Sequence, residues 1–186
     1  MSGFNGLTVV ILASNERESL RQTIRSTIKK CNSKDLSEII VFLKSEDCAS
    51  AEELKTFLSE DSVSVPVRGY VQKDRDLHHA VCEIPGLIKS SHMVIMFADF
   101  ATDASSLPQM IEKAKQFPGA IICAAKWHKR SKVYGYSRVR MLCSRTMNKL
   151  AAFFLHTTGN DLFSYFQIYP LELVSQFCLT NPKTSR

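Results

Sequence analysis

Several things are missing from this 186-residue chain, and each absence removes a class of protein. No run of about 18 apolar residues occurs, so a membrane-spanning helix is not expected. No basic segment followed by about 7–15 apolar residues opens the chain, so no signal peptide is expected. The six cysteines (31, 48, 82, 123, 143 and 178) include no C-x-x-C pair, which argues for free thiols in a reducing compartment over a disulfide framework. The nucleotide-loop motifs G-x-G-x-x-G and G-x-x-x-x-G-K-[ST] are lacking, as are H-E-x-x-H and G-x-S-x-G. Acidic residues are absent from Lys113 to Asn160, while the same stretch carries ten lysines and arginines. That one-signed field suits a phosphate, a nucleic acid or an anionic membrane surface, or else a solvated basic face.

What is present reads as an ordinary soluble α/β domain of the cytoplasm. Hydrophobic residues make up 45% and charged residues 23%, enough apolar material to bury a core. Leu7–Leu12, Glu38–Leu43 and Met93–Phe97 are short, continuous apolar runs, as expected of strands buried on both faces. Val63–Val71 is a further strand that Pro66 pushes to an edge or a bulge, and Ala120–Ala125 another buried strand. Helical spacing follows Asn15, with Ser14 or Asn15 as the expected N-cap, and covers Ser50–Leu58, Leu107–Phe117 and Arg138–His156. His78–Lys89 is helical up to a break at Pro85-Gly86. In Arg138–His156 the stripe Val139, Leu142, Cys143, Met147, Leu150, Ala151 and Phe154 is either a core face or an apolar face lying on an anionic membrane. Strands alternating with helices imply a mostly parallel sheet covered on both faces. A single domain over residues 1–178 and a disordered tail over 179–186 are expected.

In such sheets ligands sit at the carboxyl ends of the strands, near a reversal of strand order. Asp99 follows a buried run and is either a metal-binding carboxylate or a cap for the segment that starts near Thr102-Asp103. Asn15-Glu16 follows the first run and either contacts a base or sugar or simply starts a helix. His78, His79 and Cys82 have loose spacing for a metal and read as structural. Aromatic stacking positions in the basic stretch are few (Trp127, Tyr134, Tyr136), which argues against nucleic acid.

Taken in order, these motifs resemble family 2 glycosyltransferases of the GT-A fold, which have a Rossmann-like three-layer α/β/α architecture with a mostly parallel sheet. Val9-Val10-Ile11-Leu12-Ala13-Ser14-Asn15-Glu16 is similar to the family's V-V-I-P-x-Y-N-E. Val133-Tyr134-Gly135-Tyr136-Ser137, Arg140, Leu142, Ser144, Arg145 and Asn148 are similar to V-x-G-W-S-x-x-R-x-L-x-S-R-x-x-N of the dolichyl- or polyprenyl-phosphate sugar synthases. Residues 161–169 resemble their D-x-x-S-G-F-R-x-Y. The resemblance implies sugar transfer from a UDP- or GDP-linked donor to a polyprenyl phosphate or other acceptor. It places Ala13, Asn15, Glu16, Lys44 and Ala98 in the nucleotide-sugar pocket, and Asp99 as the catalytic carboxylate holding Mg²⁺ or Mn²⁺. It sets Lys126, Arg140 and Ser144 around the acceptor phosphate. An anionic acceptor needs no dedicated base, and the reaction would be in-line displacement at the anomeric carbon.

The departures are equally concrete. Leu43 and Lys44 stand where the family has two aspartates, and Phe97 stands at the first Asp of D-x-D, leaving Asp99 alone. The glycines of N-x-G-x-G-x-A are missing from 74–81, and Tyr165 and Gln167 replace the glycine and arginine of G-F-R. Two classes therefore stay open: an active transferase, or a catalytically degenerate binding or regulatory module on the same scaffold.

Overall fold

The computed structural model describes residues 3–73, 77–100, 102–124, 137–156 and 161–180. Its elements run β1 (Leu7–Ala13), α1 (Glu18–Lys30), β2 (Leu36–Leu43), α2 (Ala49–Glu60), β3 (Val67–Val71), α3 (Leu77–Glu83), β4 (His92–Phe97), α4 (Leu107–Gln116), β5 (Ile122–Cys123), α5 (Arg138–Phe154), β6 (Gln167–Pro170) and α6 (Leu171–Thr180). Six strands form one sheet in the order β3-β2-β1-β4-β6-β5. The first four are parallel, and β6 runs antiparallel to both β4 and β5.

The apolar runs become strands because both faces of the sheet are covered, so every position along them can be buried. Val9, Ile11, Ile39, Val41, Val94 and Met96 pack on one face against Leu20 and Ile24 of α1, Leu54 and Phe57 of α2, and Met110 and Ile111 of α4. On the other face Val10, Ile40, Phe42, Met93 and Ile95 meet Ile84, Ile88 and Val174, with Val81 of α3 beside them. This is a three-layer α/β/α arrangement. Helices α1 and α2 are further tied by Arg21, which reaches Glu53 and Glu60, and by Arg25, which takes both Asp61 oxygens at 2.8 Å.

The structure moves several expectations. The expected strand over 63–71 narrows to β3 at the sheet edge, and the Pro66 carbonyl still accepts from Ile39 N–H at 2.8 Å. The expected buried strand over 120–125 is two residues long and half-exposed, because β6 claims the place beside β4. Neither β6 nor α6 was foreseen. Helix α6 runs to Thr180, so residues 179–180 belong to it, and 181–186 lie outside the described residues. Helix α1 starts at Glu18 with Arg17 at the cap and no capping side chain, in place of Ser14 or Asn15. Cys31, Cys48, Cys123 and Cys143 are outside any disulfide, but Cys82 of α3 is disulfide-bonded, which corrects the expectation of reduced thiols throughout.

His92 opens β4 almost fully buried. Its Nε2 lies 2.9 Å from the Pro118 carbonyl and its Nδ1 lies 2.8 Å from Ser91 Oγ. A carbonyl only accepts, so Nε2 carries the proton and Nδ1 accepts from the hydroxyl. Burial pushes the imidazole pKa below its ordinary value, against a smaller opposing pull from the Pro118 carbonyl. The unfolded chain therefore binds this proton at about pH 6.5, where the folded chain does not.

Two predictions follow from this packing. Replacing Ile11, fully buried in the central strand, by alanine should cost about 2–5 kcal/mol, read as a lower urea midpoint at unchanged slope. Stability should also fall as pH drops through about 6.5 and level off once the folded imidazole is itself protonated. His92→Phe should remove that slope in urea titrations run at about pH 7.5 and about pH 5; an unchanged slope would assign it to other groups.

Candidate functional site

Strand order reverses between β1 and β4: the chain winds outward from β1 through β2 to β3, then returns to place β4 on the other side. The crevice at the carboxyl ends of these two strands is where such sheets take ligands. Leu12 pairs with Phe97 in register, and Ala98 N–H donates to the Leu12 carbonyl at 3.2 Å. Ala13 and Ala98, the residues at these strand ends, are buried in the core on the side of α1, α2 and α4. Ala13 also pairs with Leu43, which brings exposed Lys44 to the same end of the sheet. The structure thus brings together Ala13, Asn15, Glu16, Lys44, Ala98 and Asp99.

Glu16 is not a free carboxylate aimed outward. Its Oε2 accepts from Ser14 N–H, from Asn15 N–H at 2.9 Å and from Ser50 Oγ at 3.3 Å. Ser50 Oγ also lies 2.7 Å from the Glu16 carbonyl, so α2 grips the β1–α1 loop from both sides. Partial burial raises the carboxyl pKa, but the hydrogen bonds from Ser14, Glu16 and Asn15 N–H groups and from Ser50 outweigh it and hold the group below its ordinary value. Glu16 is accordingly an ionised clasp that shapes the loop, while Asn15 beside it is exposed.

Asp99 is exposed at the tip of β4, followed by Phe100 at φ 62°, a left-handed conformation uncommon for a bulky residue. The segment after Asp99 is capped by Asp103, which accepts from Ser105 N–H at 2.9 Å and from Ser105 Oγ. Those bonds hold its carboxyl below the ordinary range. Phe97, at the position of the family's first metal carboxylate, packs edge-on to Tyr165 with centroids 6.1 Å apart and planes at 77°. Among the described residues no three His, Cys, Asp or Glu side chains gather as a metal cluster. One carboxylate suffices for a divalent ion only where a bound diphosphate supplies most of the oxygens. Asp99 as a single carboxylate would hold a divalent ion only in that shared mode.

The expected acceptor residues are less complete. Lys126 lies outside the described residues, and of Arg140 only the helical backbone is described. Ser144 is half-buried on α5, and its carbonyl accepts from Asn148 Nδ2 at 2.9 Å. Asn148, buried in mid-helix, accepts Leu162 N–H at 2.7 Å and so brackets α5 to the segment leading into β6. The Asp161 carbonyl continues this network to Cys123 Sγ at 3.2 Å and Gln167 Nε2 at 3.4 Å. A polar residue on the inward face of a helix is the sequence signal for the bracing role of Asn148. Of the two readings of the α5 stripe, the core face is the one the structure excludes. Val139, Leu142, Cys143, Met147, Leu150 and Phe154 are exposed, and the inward side carries Ser144, Asn148, Ala151 and Ala152.

A reversed-order α/β/α sheet with its crevice at β1 and β4 defines a Rossmann-like fold. The chain belongs to the nucleotidyl transferase family, which matches residues 16–150. Among solved structures it is similar to glucosyl-3-phosphoglycerate synthase from Mycobacterium tuberculosis in complex with Mn²⁺, UDP and phosphoglyceric acid. That likeness has a TM-score of 0.59 at 14% identity, covering 91% of this chain and 57% of that one. A crystal structure of S. aureus TarS 1-349 matches with a TM-score of 0.61 at 9% identity, over 92% of this chain and 49% of the other. At such identities the likeness carries the fold, and the chain spans only about half of these structures' lengths.

Removing the bracket tests its worth: Asn148→Ala leaves the partly buried Leu162 N–H without its acceptor and should cost about 1–3 kcal/mol in urea unfolding. A cost near zero would mean that the α5 anchor lies elsewhere.

Proposed function

We propose that the crevice binds a UDP- or GDP-linked sugar and that the chain transfers the sugar to a polyprenyl phosphate at the cytoplasmic face of a membrane, as a peripheral protein. The observation that carries this reading is the strand reversal at β1 and β4, whose carboxyl ends lead into the loops that hold Asn15 and Glu16 and Asp99. The family match and the UDP held by the mycobacterial synthase support a nucleotide ligand.

In this reading each residue has a bounded task. The Ser14 and Asn15 N–H groups are already taken by Glu16, so this loop meets the base or ribose and leaves the diphosphate to other groups. Lys44, exposed at the end of β2, offsets charge on the diphosphate. Asp99 would hold a divalent ion together with diphosphate oxygens, and that ion would supply charge neutralisation on the departing nucleoside diphosphate. An acceptor phosphate oxygen, already anionic, forms a bond to the anomeric carbon as the bond to the donor's diphosphate oxygen breaks. No proton has to move. Lys126, Arg140 and Ser144 would orient that acceptor phosphate.

A second reading has its own observation. The Phe97–Tyr165 pair fills the position of a metal carboxylate with hydrocarbon, which favours a binding or regulatory module that has lost turnover.

Calorimetric titration with UDP, GDP, their sugars and a nucleoside triphosphate, with Mn²⁺ or with EDTA, separates the two. Affinity for one nucleoside diphosphate should rise with Mn²⁺, and Asp99→Ala should abolish that rise at a cost of about tenfold. Lys44→Ala should weaken binding about threefold to tenfold in either condition. Binding indifferent to metal and to Asp99 favours the module; no nucleotide binding by folded protein rejects the transferase and leaves a module that binds something else.

A further inference from the structure

We propose that the outward face of α5 is the surface by which this protein docks on an anionic lipid bilayer. The inference rests on the peripheral placement proposed above and on nothing in the nucleotide crevice.

An amphipathic helix ordinarily turns its apolar stripe to the core. Helix α5 does the reverse. Val139, Leu142, Met147, Leu150, Phe153 and Phe154 recur at helical spacing on one side and are 47–73% exposed. The side facing the protein is small and polar, held by the Asn148 bracket to Leu162. Phe153 and Phe154 pack edge-to-face on each other, with centroids 5.6 Å apart, while both stay open to solvent. The bracketed segment adds exposed Phe163 and Tyr165.

Charge chooses the occupant. Arg145 and Lys149 are exposed on the flank of the stripe, and Arg138 and Arg140 share the first turn of the same helix. No acidic residue occurs on α5 or anywhere from Lys113 to Asn160. A second copy packed stripe to stripe would bring these cations together without a counter-charge, and like charges across an interface oppose association. An anionic headgroup layer supplies the missing sign, and its acyl boundary takes the apolar stripe. At 17 residues the helix is about 25 Å long, and none of the described helices is long and apolar enough to cross a bilayer. The helix therefore lies in the interface plane.

Flotation of the whole chain with vesicles tests this. Vesicles of phosphatidylcholine with about 30% phosphatidylserine should carry the protein, pure phosphatidylcholine should not, and raising salt from about 0.1 M to about 0.5 M should weaken the association. The double substitution Leu150→Glu with Phe153→Glu should lower vesicle binding at least about tenfold, and Lys149→Glu about threefold. Both variants change exposed positions, so an unchanged circular dichroism spectrum and unchanged nucleotide affinity are expected alongside. Equal recovery on neutral and anionic vesicles, or none on either with a native spectrum, overturns the proposal. So does a dimer in light scattering that Leu150→Glu dissolves, because it assigns the face to a second copy. Loss of nucleotide binding with vesicle binding intact would reject the crevice reading alone.

Discussion

Everything in this protein hangs on β1 being sandwiched. Its backbone is bonded on both edges, to β2 and to β4, and its side chains are buried on both faces. A strand so placed has no freedom to slip, since a one-residue shift would exchange the two apolar faces and break two ladders at once. The loop that leaves it is consequently delivered to a fixed place, and so is the loop leaving β4. The crevice is a product of this double pairing and owes little to the residues that line it.

That division of labour separates what the scaffold needs from what a ligand would need. At Leu43 and Phe97 the sheet asks for apolar bulk, and Phe97 has an aromatic neighbour in Tyr165. Glu16 shows the polar counterpart. It ties its own loop to Ser50 of α2, a structural duty that holds with or without a ligand.

The buried parallel strands were legible because two-sided burial writes itself as an unbroken apolar run, as in Leu7–Leu12, Glu38–Leu43 and Met93–Phe97. Strand β6 was not, since four residues ending in proline carry no such run and their pairing partners are distant in the chain. For α5 the sequence spacing defined a stripe correctly but not its direction: periodicity says which residues share a face, never what stands opposite. The candidate crevice was legible as a location, from strand ends alone. The roles within it were less so, because the inward curl of the Glu16 carboxylate and the capping by Asp103 depend on loop geometry that no spacing encodes.

The antiparallel insertion of β6 has a consequence for synthesis. Met93 and Val94 of β4 pair on one side with β1, which precedes them, and on the other with Tyr169 and Ile168, which emerge only after α4, β5 and α5. Until those residues leave the ribosome, β4 is an open edge rich in methionine, valine and isoleucine, with unpaired N–H and C=O groups along it. A nascent chain arrested before β6 would present a sticky template, so the last short strand acts as a seal against mispairing with other chains.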